Sequence, residues 1–194
     1  MRIIPRNFAL VLAFSLVALG ALCAQQAVAP PPMPAANGPS IEKTMQFIQE
    51  NAAEGKLTYT AFVNDASQQG VEWSNKFTVE MSNLVADPAA CRITYHWRAE
   101  ENGKPVDDAD YSLMLKDVKE ILVLPQAQNQ NQVDGRNGHL DWNSRIAPNL
   151  FTLIARRPKG VVNVFLFSDE DMANRVAKAI THAVELCGGG RDAF

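Results

Sequence analysis

The sequence predicts an α+β, mainly β fold: a seven-stranded antiparallel barrel or sandwich plugged by a C-terminal amphipathic helix, with a short N-terminal helix. Three observations carry this. Residues 168–187 (SDEDMANRVAKAITHAVELC) repeat Met172, Val176, Ala179, Ile180, Ala183 and Cys187 at helical spacing, one apolar stripe that needs a surface to lie on. The chain before it holds short runs of alternating apolar and polar residues separated by turn residues. No crossover helices lie between those runs, which argues against a parallel sheet. With 194 residues, 47% apolar and 20% charged, the chain suits one globular domain plus flanking segments.

Residues 1–24 read as a signal peptide, with Arg2 and Arg6 as the charged start, an apolar run from Phe8 to Leu19, and small residues from Gly20 to Ala24. The run is too short for a membrane span. Cleavage after Cys23 or Ala24 is expected. A lipid on Cys23 is the second possibility, although Gly20-Ala21-Leu22-Cys23 departs from the usual order of a bacterial lipobox. The body is therefore expected to be exported, periplasmic or secreted. Residues 25–39 (QQAVAPPPMPAANGP) form a tether, because prolines and small residues without periodicity cannot bury enough surface to fold. Such a segment serves as a spacer or as a proline-rich ligand.

Residues 40–55 form the short helix. Ser40 caps it, Ile41, Met45, Ile48 and Ala52 share a face, and Gly55 lies near its end. The β domain then spans residues 56–188. Leu57, Tyr59, Ala61 and Val63 alternate with polar neighbours in a first strand, marred by an outward Phe62. Phe77, Val79 and Met81 mark the second, which Asp87-Pro88 closes. Ile93, Tyr95 and Trp97 give the third and cleanest alternation, and Asn102-Gly103 then signals a hairpin. Tyr111, Leu113 and Leu115 make the fourth, and residues 121–124 the fifth, stopped by Pro125. Residues 126–138 (QAQNQNQVDGRNG) read as a polar loop. Residues 150–156 and 161–167 are the sixth and seventh strands, turned by Arg157-Pro158-Lys159-Gly160. The last feeds the final helix, with Ser168 as N-cap and Gly188, Gly189 and Gly190 as its stop. Residues 189–194 are a tail.

Seven antiparallel strands, a polar loop and a strand-strand-helix ending in LFTLIARRPKGVVNVFLFSDEDMANRVAKAITHAVELC resemble the pleckstrin-homology-like (PH-like) superfold over roughly residues 56–188. The resemblance implies two bent sheets in an open barrel plugged by the C-terminal helix, its stripe packed on residues such as Ile154, Phe165 and Phe167. It also implies peptide or protein binding between a sheet edge and the helix. Phosphoinositide-binding members cluster basic residues on the first hairpin. This chain has only Lys56 and Lys76 there, with Asp65 and Glu72, which argues against that ligand.

Cys91 and Cys187 are the only cysteines of the exported body, and an oxidising compartment favours a disulfide pinning the helix to the third strand. Two separate buried thiols are the alternative. No C-x-x-C is present to make a reactive pair. His96, His139 and His182 show no ligand spacing, so no metal and no cofactor is expected. His96 is expected on an outward strand face, paired to Glu80 or a similar neighbour. A hydrolase built on His139, Asp141 and Ser144 can be drawn, but no nucleophile-elbow motif supports it.

The preferred recognition surface is the connection around Asp141, Trp142 and Arg145, since loops carry function on rigid scaffolds and Trp and Arg anchor interfaces. Trp142 covering a barrel mouth is the competing reading. Arg156, Arg157 and Lys159 form a small basic turn that could touch anionic headgroups. The net charge of -3 offers no basic excess for nucleic acid. The reading is a non-catalytic cell-envelope domain that recognises a protein or peptide. A lipid or small-ligand carrier using the interior is the alternative, although Tyr59, Phe77, Tyr95, Trp97, Tyr111 and Phe165 are large enough to fill one.

Overall fold

The computed structural model describes residues 38–52, 55–65, 71–136 and 142–190, and within them the chain is α+β, mainly β. The expected signal peptide, Cys23, almost all of the tether and most of the tail lie outside the described residues. In chain order the elements are α1 (Ile41–Asn51), β1 (Gly55–Asp65), β2 (Val71–Asp87), β3 (Arg92–Glu101) and β4 (Lys104–Met114). A 3₁₀ turn (Leu115–Asp117) leads to β5 (Glu120–Pro125), α2 (Gln126–Arg136), β6 (Trp142–Ala147), β7 (Phe151–Arg157), β8 (Gly160–Phe167) and α3 (Glu170–Leu186). The strands form two antiparallel sheets, in the orders β4-β3-β2-β1-β6 and β5-β7-β8, and the sheets do not close on one another.

Two elements differ from the sequence expectation. The polar loop of residues 126–138 contains α2, which buries amides in place of an apolar stripe. Gln126 and Asn129 are buried, Thr152 Oγ1 donates to Gln126 Oε1, and Asn129 Nδ2 donates to Asn163 Oδ1 at 3.4 Å. The connection that carries Trp142 and Arg145 is strand β6, which pairs with β1 and buries Ile146. Among the described residues there are thus eight strands, one more than expected.

Strand β2 is long because it contains a bulge. Asn83 sits at φ 56°, and the register with β3 shifts between Ser82 and Val85. One extra residue reverses the alternation. Val79 and Met81 are buried before it and Leu84 and Ala86 after it, while Val85 is left 50% exposed. The turn from β3 to β4 has Asn102 and Gly103 at φ 51° and 77°, as the dipeptide predicts.

The main core lies where the helices meet both sheets. Ile93 and Leu113 from the larger sheet and Leu153, Val164 and Phe165 from the smaller one pack with Met45 and Ile48 of α1. On α3 the buried residues are Ala173, Val176, Ile180, Ala183 and Val184, with Met172, Ala179 and Cys187 only partly covered. The stripe is wider than expected because α1 packs against the same helix. Asp169, not Ser168, is the N-cap: its carboxylate accepts from Met172 N–H at 2.7 Å, and a charged acceptor suits the positive helix start. Leu153 and Ala155 face this core, which by strand alternation turns Ile154 to the other face of its sheet. A second cluster, with Tyr59 stacked on Phe77 at 5.2 Å, joins Val79, Ala99, Ile146 and Leu166.

A disulfide joins Cys91 and Cys187, with Cα atoms 5.9 Å apart. It ties the turn before β3 to the end of α3. The chain after α3 then lies against the 3₁₀ turn, where Gly190 N–H donates to Val118 C=O at 2.8 Å. Gly189 passes so close to Leu115 O that a Cβ would collide with it. No helix among the described residues is long and apolar enough to cross a membrane.

Candidate functional site

Because the two sheets stay separate, strands β4 and β8 each end a sheet, with one edge lacking a partner strand among the described residues. A cleft of about 440 Å³ lies between them. Its floor is aromatic. Tyr95 and Trp97 of β3 alternate onto one face, and Tyr111 of β4 stacks on Tyr95 with ring centroids 5.7 Å apart. Val161 and Asn163 of β8 form the opposite wall, and Tyr95 Oη donates to Asn163 C=O at 3.2 Å, bridging the sheets at one point. Burial raises the Tyr95 phenol well above its ordinary value, so it stays protonated and keeps that bond.

Charge in the cleft is unevenly committed. Asp107 accepts from Tyr111 Oη at 2.7 Å, and this bond, followed by burial, raises the Tyr111 phenol. Asp110 sits 2.9 Å from His96 Nδ1, while Asp108 sits 3.1 Å from Nε2. His96 is thus clamped by two carboxylates of β4, not by Glu80 of β2. Its pKa is raised, first by the hydrogen bond to Asp110 and further by the negative charge of both acids. Arg157, at the end of β7, also lines the cleft. Its Nε is buried without a hydrogen-bond partner, and among the described residues no ion pair holds its guanidinium. The acids have partners and the cation has none.

A second groove, of about 400 Å³ and more open to solvent, runs between the β5 edge and α3. Ile121 and Val123 line it on one side, with Ala177, Lys178, Thr181 and His182 on the other. His182 Nε2 lies 3.0 Å from Pro39 C=O, which makes it a contact of the segment entering α1.

The residues singled out in the sequence are scattered. His139 and Asp141 lie outside the described residues, as do the side chains of Trp142 and Ser144. Arg145 is on β6, at the edge of the larger sheet opposite to β4. Its guanidinium covers the ring of Phe62 at 4.1 Å and approaches Glu72 at 3.9 Å, which explains how Phe62 can point outward. The basic turn is divided. Arg156 pairs with Glu120 at 2.9 Å, Arg157 belongs to the cleft, and Lys159 is exposed. Sequence reasoning missed the cleft because its floor residues read as core and Arg157 read as a solvated turn. Strand alternation held the one available signal: Arg156 and Arg157 must point to opposite faces.

Among the described residues, no group of three His, Cys, Asp or Glu side chains converges on a point that could hold a metal ion. No family model, curated protein or solved structure matches the chain.

Proposed function

We propose that the chain is a non-catalytic binding domain of the cell envelope that takes an extended peptide segment of a partner protein into the cleft between β4 and β8. One observation carries the reading: two strand edges flank an aromatic-floored cleft of 440 Å³. An open edge presents backbone N–H and C=O groups, and an added strand satisfies them while side chains fill pockets alongside. Carriage of a lipid inside the fold is less well supported, because Ile93, Leu113, Leu153, Val164 and Phe165 are buried together where such a ligand would lie.

The fold itself is proposed as a variant of the PH-like superfold. In its favour stand a four-strand meander, then a three-strand sheet, then a terminal helix on the core; α2 and β6 are additions between strands of the second sheet. Export is proposed on the charged and apolar leader together with the disulfide, which persists best in an oxidising compartment. A soluble exported form and a lipid-anchored form at Cys23 both agree with a tether of residues 25–39.

Peptides selected from a random display library test the binding site by amide shift mapping on the full chain. The reading expects shifts concentrated at residues 107–113 and 160–163. Shifts at residues 121–123 and along α3 would transfer the site to the second groove. Shifts at residues 142–147 would transfer it to the β6 edge, where Arg145 lies. Failure to select any peptide would end the peptide reading.

A further inference from the structure

We infer that the cleft captures the C-terminal carboxylate of its peptide, with the Arg157 guanidinium as the anchor. This rests on the peptide reading above and adds the chemistry of the partner. A guanidinium is a planar fork of donors that matches a carboxylate, and it stays charged at any physiological pH. A half-buried guanidinium keeps its charge, and at this depth a carboxylate partner is worth more than one in open water. Here the two carboxylates on the same cleft are engaged, Asp107 by Tyr111 and Asp110 by His96, while the half-buried Arg157 guanidinium lines the cleft with no ion pair among the described residues, so its charge is left for an anionic group entering from outside.

A chain end fits better than an acidic side chain in mid-peptide, for reasons of length. The β8 wall of the cleft covers only residues 161–163, about 10 Å of strand. At Asn163 the C=O that an added strand would use is already taken by Tyr95 Oη. A strand pairing there runs for a few residues and stops. A segment that short gains most if backbone pairing and charge arrive together, which a terminal residue provides. The aromatic floor of Trp97 and Tyr111 then takes its last side chain, the large apolar area that anchors a small contact.

The test uses three pools of N-acetylated random octapeptides: one with a free C-terminal carboxylate, one C-terminally amidated, and one amidated with a fixed central glutamate. Binding to the full chain is read by competition, and the Arg157 guanidinium resonances are followed directly in the unmodified protein. The expected result is at least about tenfold tighter binding of the free-carboxylate pool, equivalent to about 1.4 kcal/mol, with the Arg157 resonance shifting only for that pool. Arg157→Gln should reduce the ratio to about one at unchanged melting temperature, and Arg157→Lys should leave an intermediate ratio. Equal binding of free and amidated pools would overturn the proposal, and so would a preference surviving in Arg157→Gln. Equal binding of the central-glutamate pool would overturn the chain-end assignment. All of these differ from failure of the peptide reading itself, in which no pool shifts residues 107–113 or 160–163.

Discussion

Replacing both Cys91 and Cys187 by alanine removes a cross-link whose effect can be worked from the topology. The bridge spans a sequence separation of 96. Closing a loop of that length lowers the entropy of the unfolded chain by about 16 cal/mol/K, or about 4.7 kcal/mol at 25 °C in the chain-entropy treatment. The folded side of the balance should change little, because the same surfaces are held by other bonds. Leu115 N–H donates to Cys91 C=O at 2.9 Å, and Gly189 N–H donates to Val184 C=O at 2.8 Å at the end of α3. For a domain of this size each kcal/mol moves Tm by about 2–4 °C, so the double variant should melt about 9–19 °C lower. Thermal and urea unfolding of wild type and variant measure this, with wild type in reductant as the third arm. The reduced wild type should match the variant, and the variant's m-value should rise because its unfolded state is more extended. A loss below about 1 kcal/mol would refute the reasoning, since the bridge would then not be constraining the unfolded chain. So would a variant that falls far below the reduced wild type, because the damage would lie in the native packing.

Two further outcomes follow from other parts of the fold. Ile180 is fully buried where α3 meets the core, and Ile180→Ala should cost about 3 kcal/mol, read by urea denaturation with an unchanged m-value. The His96 clamp should give a pH dependence of defined sign. Its folded pKa lies above the ordinary 6.5, so its stabilising contribution is fully present below about pH 6.5 and disappears as pH rises through the folded value. A proton NMR titration of the His96 ring should show the raised midpoint. Asp110→Asn should remove most of the shift, because the Asp110 bond is its largest cause, and Asp108→Asn should remove less.

Where side-chain alternation was clean, the fold was legible in the sequence. Ile93, Tyr95 and Trp97 identify β3, Asn102-Gly103 identifies its turn, and the apolar stripe of residues 172–187 identifies α3 to within a residue or two. The pairing expected from two cysteines in the body of the chain is the disulfide found. The failures have physical causes. Helix α2 buries the amides of Gln126 and Asn129 against Thr152 and Asn163, so hydropathy carries no period for it. Strand β6 contributes a single buried apolar side chain among those described, Ile146, too little for a period-2 signal. The bulge at Asn83 turns one strand into two half-strands of opposite parity, and the later half could not be assigned to the core. The cleft was hidden for another reason. It exists only because two sheets stop short of each other, a property of strand order and curvature that no local stretch encodes. Tyr95, Trp97 and Tyr111 looked like filling for an interior, whereas part of that aromatic surface lines an opening.

The bridge from Cys91 to Cys187 also makes the domain a covalent ring with two open ends. The larger sheet's β3–β4 hairpin and β6, the whole smaller sheet and α3 lie within that ring, while α1, β1 and β2 lie on the N-terminal arm. Tension applied between the ends of the chain would be carried by the sulfur link and would bypass the 96-residue span, roughly 330 Å of chain at about 3.4 Å per residue. Only the arm could be drawn out: α1 peeling from α3, then β1 and β2 leaving the sheet. Under such a load the domain would lengthen by the arm alone, while β8, Arg157 and the floor of the cleft stay inside a loop that force cannot extend.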